Sequence, residues 1–279
     1  MEIEWHDDTR VTVTIHQSWM DTYAKCPEKA RRGIESPSPP SDATTLGTGM
    51  HAACAAVLEG ESDPHQSLRD AMFEEFAHPE FKWTGNGPQT KSQLISYASK
   101  LYECWEAEAL PVLAHPVSVE HKFRIPIGTR EIGGLAVTLV IEGTWDYEDE
   151  NLMYDWKTAS SLRAYGPQAL RKAVQPTMYT LAHVLETGAP FSSVIPFRYG
   201  VVLKKAQPEF VWKDTFRHEG DWAWLIEQMW AACRLWVALP EGPWPLIDEG
   251  WICSAKWCQF WSDCKGKPRQ LETESWNQS

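Results

Sequence analysis

The sequence predicts an α/β chain in α+β order: a central mixed sheet flanked by helices, a helical elaboration before it and a cysteine-bearing segment after it. Three observations carry this expectation. Helix-compatible stretches fill the chain up to about residue 115. Runs rich in β-branched and aromatic residues, separated by turn residues, then begin at "VSVEHKFRIPI". Helix-length stretches afterwards interrupt and close the strand-rich region, the order of a sheet covered by helices. A single domain over 1–279 is expected, with parts at 18–115, 116–216 and 217–279.

The elements follow in order. "RVTVTIH" alternates and reads as a short strand. In "SWMDTYAKCPEKARR", Ser18 with Asp21 three residues on has the pattern of a capping box at a helix start. "GIESPSPPSDATTLG" is rich in Pro and Ser and reads as a loop. Helices are expected over "TGMHAACAAVLEG", ended by Gly60, over "HQSLRDAMFEEFAH" and over "KSQLISYASKLYECWEAEALPVL". The runs "VSVEHKFRIPI", "GLAVTLVIEGTWDYE" and "NLMYDWKT" suggest an antiparallel meander. "LRAYGPQALRKAVQPTMYTLAHVLETG" returns to helix, with Pro176 as a kink or local restart. "VIPFRYGVVLKK" and "PEFVWKDTF" read as strands, and "DWAWLIEQMWAACRLWVALPEG" as a long amphipathic helix. The polar end, "KPRQLETESWNQS", is expected to fray.

At 279 residues the chain can bury a sizeable core. The formal net charge of −12 argues against an unspecific nucleic-acid wrapper, though not against a local basic groove or acids neutralised by metal ions. No run of about 18 apolar residues is present, so no spanning helix is expected and no membrane partner. The acidic start "MEIEWHDDTR" does not read as a signal peptide. A cytoplasmic location is expected, where disulfides are rare and the seven cysteines need another explanation.

The chemistry concentrates in "IEGTWDYEDENLMYDWKTAS". Asp155 and Lys157 are two apart and on a strand face the same side. A turn at "EDEN" would pair the strand of Asp146 with that of Asp155 and bring both acids to one end of the sheet. Two converging carboxylates are costly without a positive charge between them, and Mg²⁺ or Mn²⁺ suits oxygen ligands. Lys157 would then orient an attacking water or stabilise developing negative charge. The alternative is a solvated ion pair worth little.

The "EGTWD…YDWK" pattern resembles the G-x-x-D…D-x-K signature of the PD-(D/E)XK nuclease superfamily in its RecB-like branch. Further elements match that branch in order. "LGTGMHAAC" resembles the element that supplies a metal-binding histidine, here His51. "SVEHKF" offers Glu120 on the strand before the metal strand. "QPTMY" gives Gln175 and Tyr179 at i and i+4, like the Q-x-x-x-Y element that lies along the active site. The resemblance implies a restriction-endonuclease-like core over 116–216. It implies His51, Asp146 and Asp155 as metal ligands, with the Trp156 carbonyl as a further one, and Lys157 as the catalytic lysine.

Cys253, Cys258 and Cys264 cluster near the end of the chain, and Cys26 stands alone near its start. One distant cysteine plus three clustered ones resembles the iron–sulfur staple of the AddB and CRISPR-associated RecB-like exonucleases, which holds a [4Fe–4S] cluster. Structural zinc on the same four thiolates is the rival, and free thiols the plainer alternative. Cys54, Cys104 and Cys233 read as buried, inert thiols. Lys25, Lys29, Arg31 and Arg32 around Cys26, with Lys256, Lys265, Lys267 and Arg269 around the others, would merge into a basic patch. Trp257, Phe260 and Trp261 either stack on bases or pack around the cluster, the latter for at least two of them. Arg163, Arg171 and Lys172 follow the D-x-K strand as candidate phosphate contacts.

The expectation is a metal-dependent DNA exonuclease acting on single-stranded DNA or DNA ends in recombination, repair or replication. Processing inside a CRISPR-adaptation or recombination complex, with protein partners, is the first alternative. A catalytically weak DNA-binding or scaffold module is the second.

Overall fold

The computed structural model describes residues 1–85, 87–246, 252–255 and 257–264. The expectations for Lys256, Lys265, Lys267, Arg269 and the polar tail lie outside the described residues. The chain forms two compact units, each gathered from separated stretches. One comprises Met1–Ser38, Pro126–Glu142 and Leu225–Ser279, the other Pro39–Ile125 and Gly143–Trp224.

In the first unit, β1 (Glu2–Asp7) pairs antiparallel with β2 (Arg10–His16). β1 was not expected, because its short alternation, Ile3 and Trp5 between Glu2, Glu4 and His6, lies in an acidic and mostly exposed stretch. Backbone pairing with β2 supplies what its side chains do not. β2 buries Val11, Val13 and Ile15 and pairs in parallel with the first half of β4 (Leu135–Asp149). α1 (Gln17–Lys25) begins after His16, which makes no side-chain cap bond. Ser18 is therefore not the cap; it lies inside the first turn, where its carbonyl accepts from Thr22. Asp21 instead pairs with Lys25 at 2.5 Å.

The helix expected across this region is two helices. Cys26 takes an extended conformation (φ −158°, ψ 100°), and α2 (Pro27–Glu35) starts at the next residue. Proline disfavours helical geometry in the residue before it and suits the first helical position. Glu28 on α2 is 2% exposed. It accepts from Arg31, Arg32 and the Trp244 backbone N–H, which replace the water that its charge loses.

In the second unit, α3 (Asp42–Leu58) is opened by a reciprocal capping box between Ser41 and Thr44. It packs with α4 (Pro64–Ala77) and α5 (Lys91–Glu108) around Met50, Met72, Leu101 and Trp105. Gly49 is required there: a Cβ on it would stand 2.7 Å from the Met72 side chain. The sheet of this unit is mixed. The second half of β4 pairs antiparallel with β5 (Met153–Ala159), β5 pairs in parallel with β6 (Ile195–Leu203), and β6 pairs antiparallel with β7 (Glu209–Arg217). β3 (Pro116–Ile132) pairs with β4. Of the expected meander, β4 and β5 pair antiparallel and β3 pairs with β4, while β2–β4 and β5–β6 are parallel.

The parallel step from β5 to β6 needs a crossover. It is made by a short 3₁₀ turn (Leu162–Tyr165), α6 (Pro167–Lys172) and α7 (Val174–Thr187). The break falls at Ala173, so Pro176 sits in the first turn of a restarted helix, where its missing N–H costs nothing. Gly188 ends α7 in the left-handed region (φ +70°). α8 (Glu219–Ala238) is the last helix among the described residues.

Candidate active site

β4 and β5 pair only at Tyr147↔Tyr154 and Glu148↔Met153, and the ladder stops before Asp146 and Asp155. The two acids therefore lie where the pairing ends, inside the sheet rather than at its end. Both are buried, Asp155 at 1% and Asp146 at 6% exposure. The backbone N–H of Trp156 turns to Asp146 Oδ2 at 2.6 Å. His51 on α3 presents Nδ1 to the same oxygen at 3.3 Å.

Glu120 reaches the cluster by a backbone device. Its φ of +46° is the one positive value at a non-glycine among the described residues. Such a conformation inside a strand re-aims the side chain, and it is held only where the surroundings enforce it. One ligand atom each from His51, Glu120 and Asp146 lies within 4.8 Å of the others.

Asp155 is gripped from two sides. Gln175 on α7 donates to Oδ1 at 2.7 Å, and the Lys157 ammonium stands 2.5 Å from Oδ2. Oδ2 nonetheless has no hydrogen bond of proper angle and is shut off from solvent. Tyr179 shares the Gln175 amide, accepting from it at 3.3 Å, and Tyr199 on β6 donates to Gln175 Oε1 at 3.4 Å. Tyr199 stands opposite Asp155 in the β5–β6 register. Its place behind Gln175 was not legible in the sequence, because it follows from strand register alone.

The electrostatics report an excess of negative charge. Burial raises the Asp155 carboxyl and Asp146 adds to it, against Lys157, leaving it at about 6. Burial and Asp146 raise Glu120 to about 7. Burial would lower His51, but Asp146 outweighs it and holds the imidazole at about 8. Burial would raise Asp146, and His51 with Lys157 overcomes it, so that carboxyl is lowered. Lys157 is pushed up by Asp155 and Asp146 despite its burial and stays an ammonium. The donor set of one imidazole and two carboxylates, beside the buried Asp155–Lys157 pair, fits a divalent cation. Asp155 is not within the closest group of three donors, and Glu120 is.

The motif glycine has a steric reason. A Cβ on Gly143 would lie 2.8 Å from the Phe123 ring and 3.4 Å from Tyr179. Arg217, which the sequence reading passed over, is 1% exposed. It donates to Thr177 on α7, to the Leu170 and Ala173 carbonyls at the α6–α7 joint, and to Thr215 and the Phe216 carbonyl on β7. It thus anchors the first turn of the helix that carries Gln175. Arg163 is exposed and makes no hydrogen bond or ion pair among the described residues.

In the first unit, Cys26, Cys253, Cys258 and Cys264 line one cavity with Phe260 and Trp261, and none is in a disulfide. Trp257 is half exposed. The basic patch expected around Cys26 is largely spent internally. Lys25 pairs with Asp21, Arg31 and Arg32 with Glu28, and Lys29 donates to the Trp257 carbonyl. Arg32 also lies over the Phe260 ring. Cys54 and Cys233 are buried and Cys104 half-buried, and burial raises all three thiols.

Among the described residues no helix is long and apolar enough to cross a membrane. No curated protein matches the sequence. A candidate exonuclease from Eubacterium rectale has a similar solved structure, with 14% identity over 82% of this chain and 83% of that one, and a TM-score of 0.51. At that identity the likeness concerns the fold. The solved structure of SSO0001 aligns over 90% of this chain and 96% of its own at 13% identity, with a TM-score of only 0.34. The model of the PD-(D/E)XK nuclease superfamily matches residues 15–265. With that match spanning nearly the whole sequence, the chain belongs to the PD-(D/E)XK nuclease superfamily.

Proposed function

We propose that this chain works as one nuclease domain, a metal-dependent DNA exonuclease of the RecB-like, iron–sulfur-containing branch. Its substrates are single-stranded DNA or DNA ends. The observation that carries the reading is the convergence of His51, Glu120 and Asp146 beside the buried Asp155–Lys157 pair.

His51, Asp146 and Asp155 hold Mg²⁺ or Mn²⁺, with Glu120 and the Trp156 carbonyl as further ligands. Bound there, the ion polarises the phosphoryl group and lowers the pKa of a coordinated water. His51 must give up its proton to bind, so loading releases protons. Asp155 and Asp146 favour the charged form of Lys157 against its burial. Lys157 orients the attacking water or stabilises charge growing on the phosphoryl oxygens. Water forms the new P–O bond, the bridging P–O bond breaks, and the leaving oxygen takes a proton. Gln175, backed by Tyr179 and Tyr199, keeps Asp155 aimed.

Cys26, Cys253, Cys258 and Cys264 hold a [4Fe–4S] cluster, with structural zinc as the alternative. The fit rests on four thiols facing one cavity whose lining carboxylate, Glu28, is already consumed by arginines. The group would supply a cross-link between segments far apart in sequence. A cytoplasmic role in recombination, repair or replication follows, or processing within a CRISPR-adaptation or recombination complex with protein partners.

The test is cleavage of end-labelled single and double strands with Mn²⁺ and with EDTA. Metal-dependent shortening from an end, abolished in Asp155→Ala, is expected. A folded, Mn²⁺-loaded wild type that cleaves neither strand would refute the enzyme reading in favour of a binding module.

A further inference from the structure

Beyond the metal cluster, the second unit holds a groove of about 780 Å³. One wall is the edge strand β7, which among the described residues pairs with β6 alone, and the other carries Tyr165, Leu170 and Arg171. The groove is connected to the catalytic residues by strand register. Asp155 on β5 stands opposite Tyr199 on β6, and Tyr199 stands opposite Lys213 on β7. Cross-strand partners share a face, so Lys213 sits in the row of Asp155, about 10 Å away at two strand spacings. Tyr165 meets the Tyr199 ring edge-on at 5.5 Å and lines the groove at the same point. Lys157 and Asp155 are close enough to bias its hydroxyl, although burial is the larger influence.

The charges in the groove are unevenly engaged. Asp214 is held by Arg198 through two hydrogen bonds, and Asp221 accepts from the His218 backbone N–H. Arg171 and Lys213, in contrast, make no ion pair among the described residues. A groove that begins beside a phosphodiester-cleaving centre, offers an aromatic ring and leaves two cations unengaged matches a nucleic-acid backbone with unpaired bases. Its volume suits a small enclosed ligand and not the full width of a duplex.

We infer that the β7 groove seats the unpaired strand adjoining the scissile phosphodiester, with Tyr165 stacking on a base and Arg171 and Lys213 holding backbone phosphates. This rests on the nuclease reading above. Arg171 and Lys213 engage phosphates beyond the one attacked, so they set affinity for the strand and leave the metal centre alone.

The experiment measures binding of fluorescein-labelled oligothymidylate to the full chain by anisotropy in EDTA across a salt series, then Mn²⁺-dependent cleavage of the same probe. Arg171→Glu and Lys213→Glu should each weaken binding at least tenfold. Each should also flatten the slope of log K against log salt by about 0.7. Tyr165→Ala should weaken binding about five- to hundredfold, with a smaller change in slope. KM should rise in all three while calorimetric Mn²⁺ affinity stays at the wild-type value, and Lys213→Arg should restore binding. Wild-type affinity, slope and KM in the Arg171→Glu/Lys213→Glu double variant would overturn the proposal while leaving the nuclease reading intact. That result would point to a peptide strand adding to the β7 edge instead. A wild type that binds the strand through these residues yet never cleaves would sink the nuclease reading and leave the groove.

Discussion

Lys157→Ala removes the ammonium that stands 2.5 Å from Asp155 Oδ2. Asp155 is 1% exposed, so solvent does not replace the lost partner. Breaking a buried pair from one side costs about 3–5 kcal/mol. The cost should be visible in metal-free protein at pH 8, where the carboxyl is ionised. Asp155, already at about 6 because of burial, rises further without Lys157. A raised carboxyl pKa makes the folded state bind more protons than the unfolded one. The gap between variant and wild type therefore closes as pH falls from the variant's higher value toward 6, and it stays constant below 6, where both folded carboxyls are protonated. The catalytic consequence is separate: losing a positioned charge costs on the order of 10²–10³ in kcat. Urea unfolding in EDTA at several pH values, with single-turnover cleavage in saturating Mn²⁺, measures both. A variant within about 1 kcal/mol of wild type that cleaves at the wild-type rate would show an ordinary surface pair, and the reasoning would fail.

Glu28→Gln tests the other buried charge. Arg31, Arg32 and the Trp244 N–H overcome its burial and hold the carboxyl at about 2, against 4.5 unperturbed. That shift corresponds to about 3 kcal/mol, present above pH 4.5 and lost as pH falls toward 2, so acid unfolding curves of variant and wild type should converge there. Gly143→Ala drives a Cβ to 2.8 Å from the Phe123 ring, and overpacking of that kind costs about 1–3 kcal/mol by chemical denaturation. Cys258→Ala should release iron and sulfide from a brown protein and lower its melting temperature. Stoichiometric zinc in the wild type would replace the cluster with a zinc staple, and an unchanged melting temperature would deny the cysteines a structural role.

Much of the site was legible because its spacings are local. Two residues apart on a strand put Asp155 and Lys157 on one face, and four apart on a helix put Gln175 beside Tyr179. The strand and helix runs were readable for the same reason: side-chain periodicity belongs to the segment itself. What the sequence could not disclose depends on pairing between distant segments. β1 is mostly exposed, so it buries little of its own and depends on pairing with β2. Glu120 joins His51 and Asp146 through one left-handed residue inside a strand, which no composition marks. Tyr199 and Lys213 fall into the row of Asp155 only when the register of β5, β6 and β7 is known. The basic patch around Cys26 illustrates the converse: counting charges along the chain made a surface of them, and folding turned Arg31 and Arg32 onto buried Glu28. Charge on a residue is set by its chemistry, but whether that charge is free is set by which carboxylate the fold brings beside it.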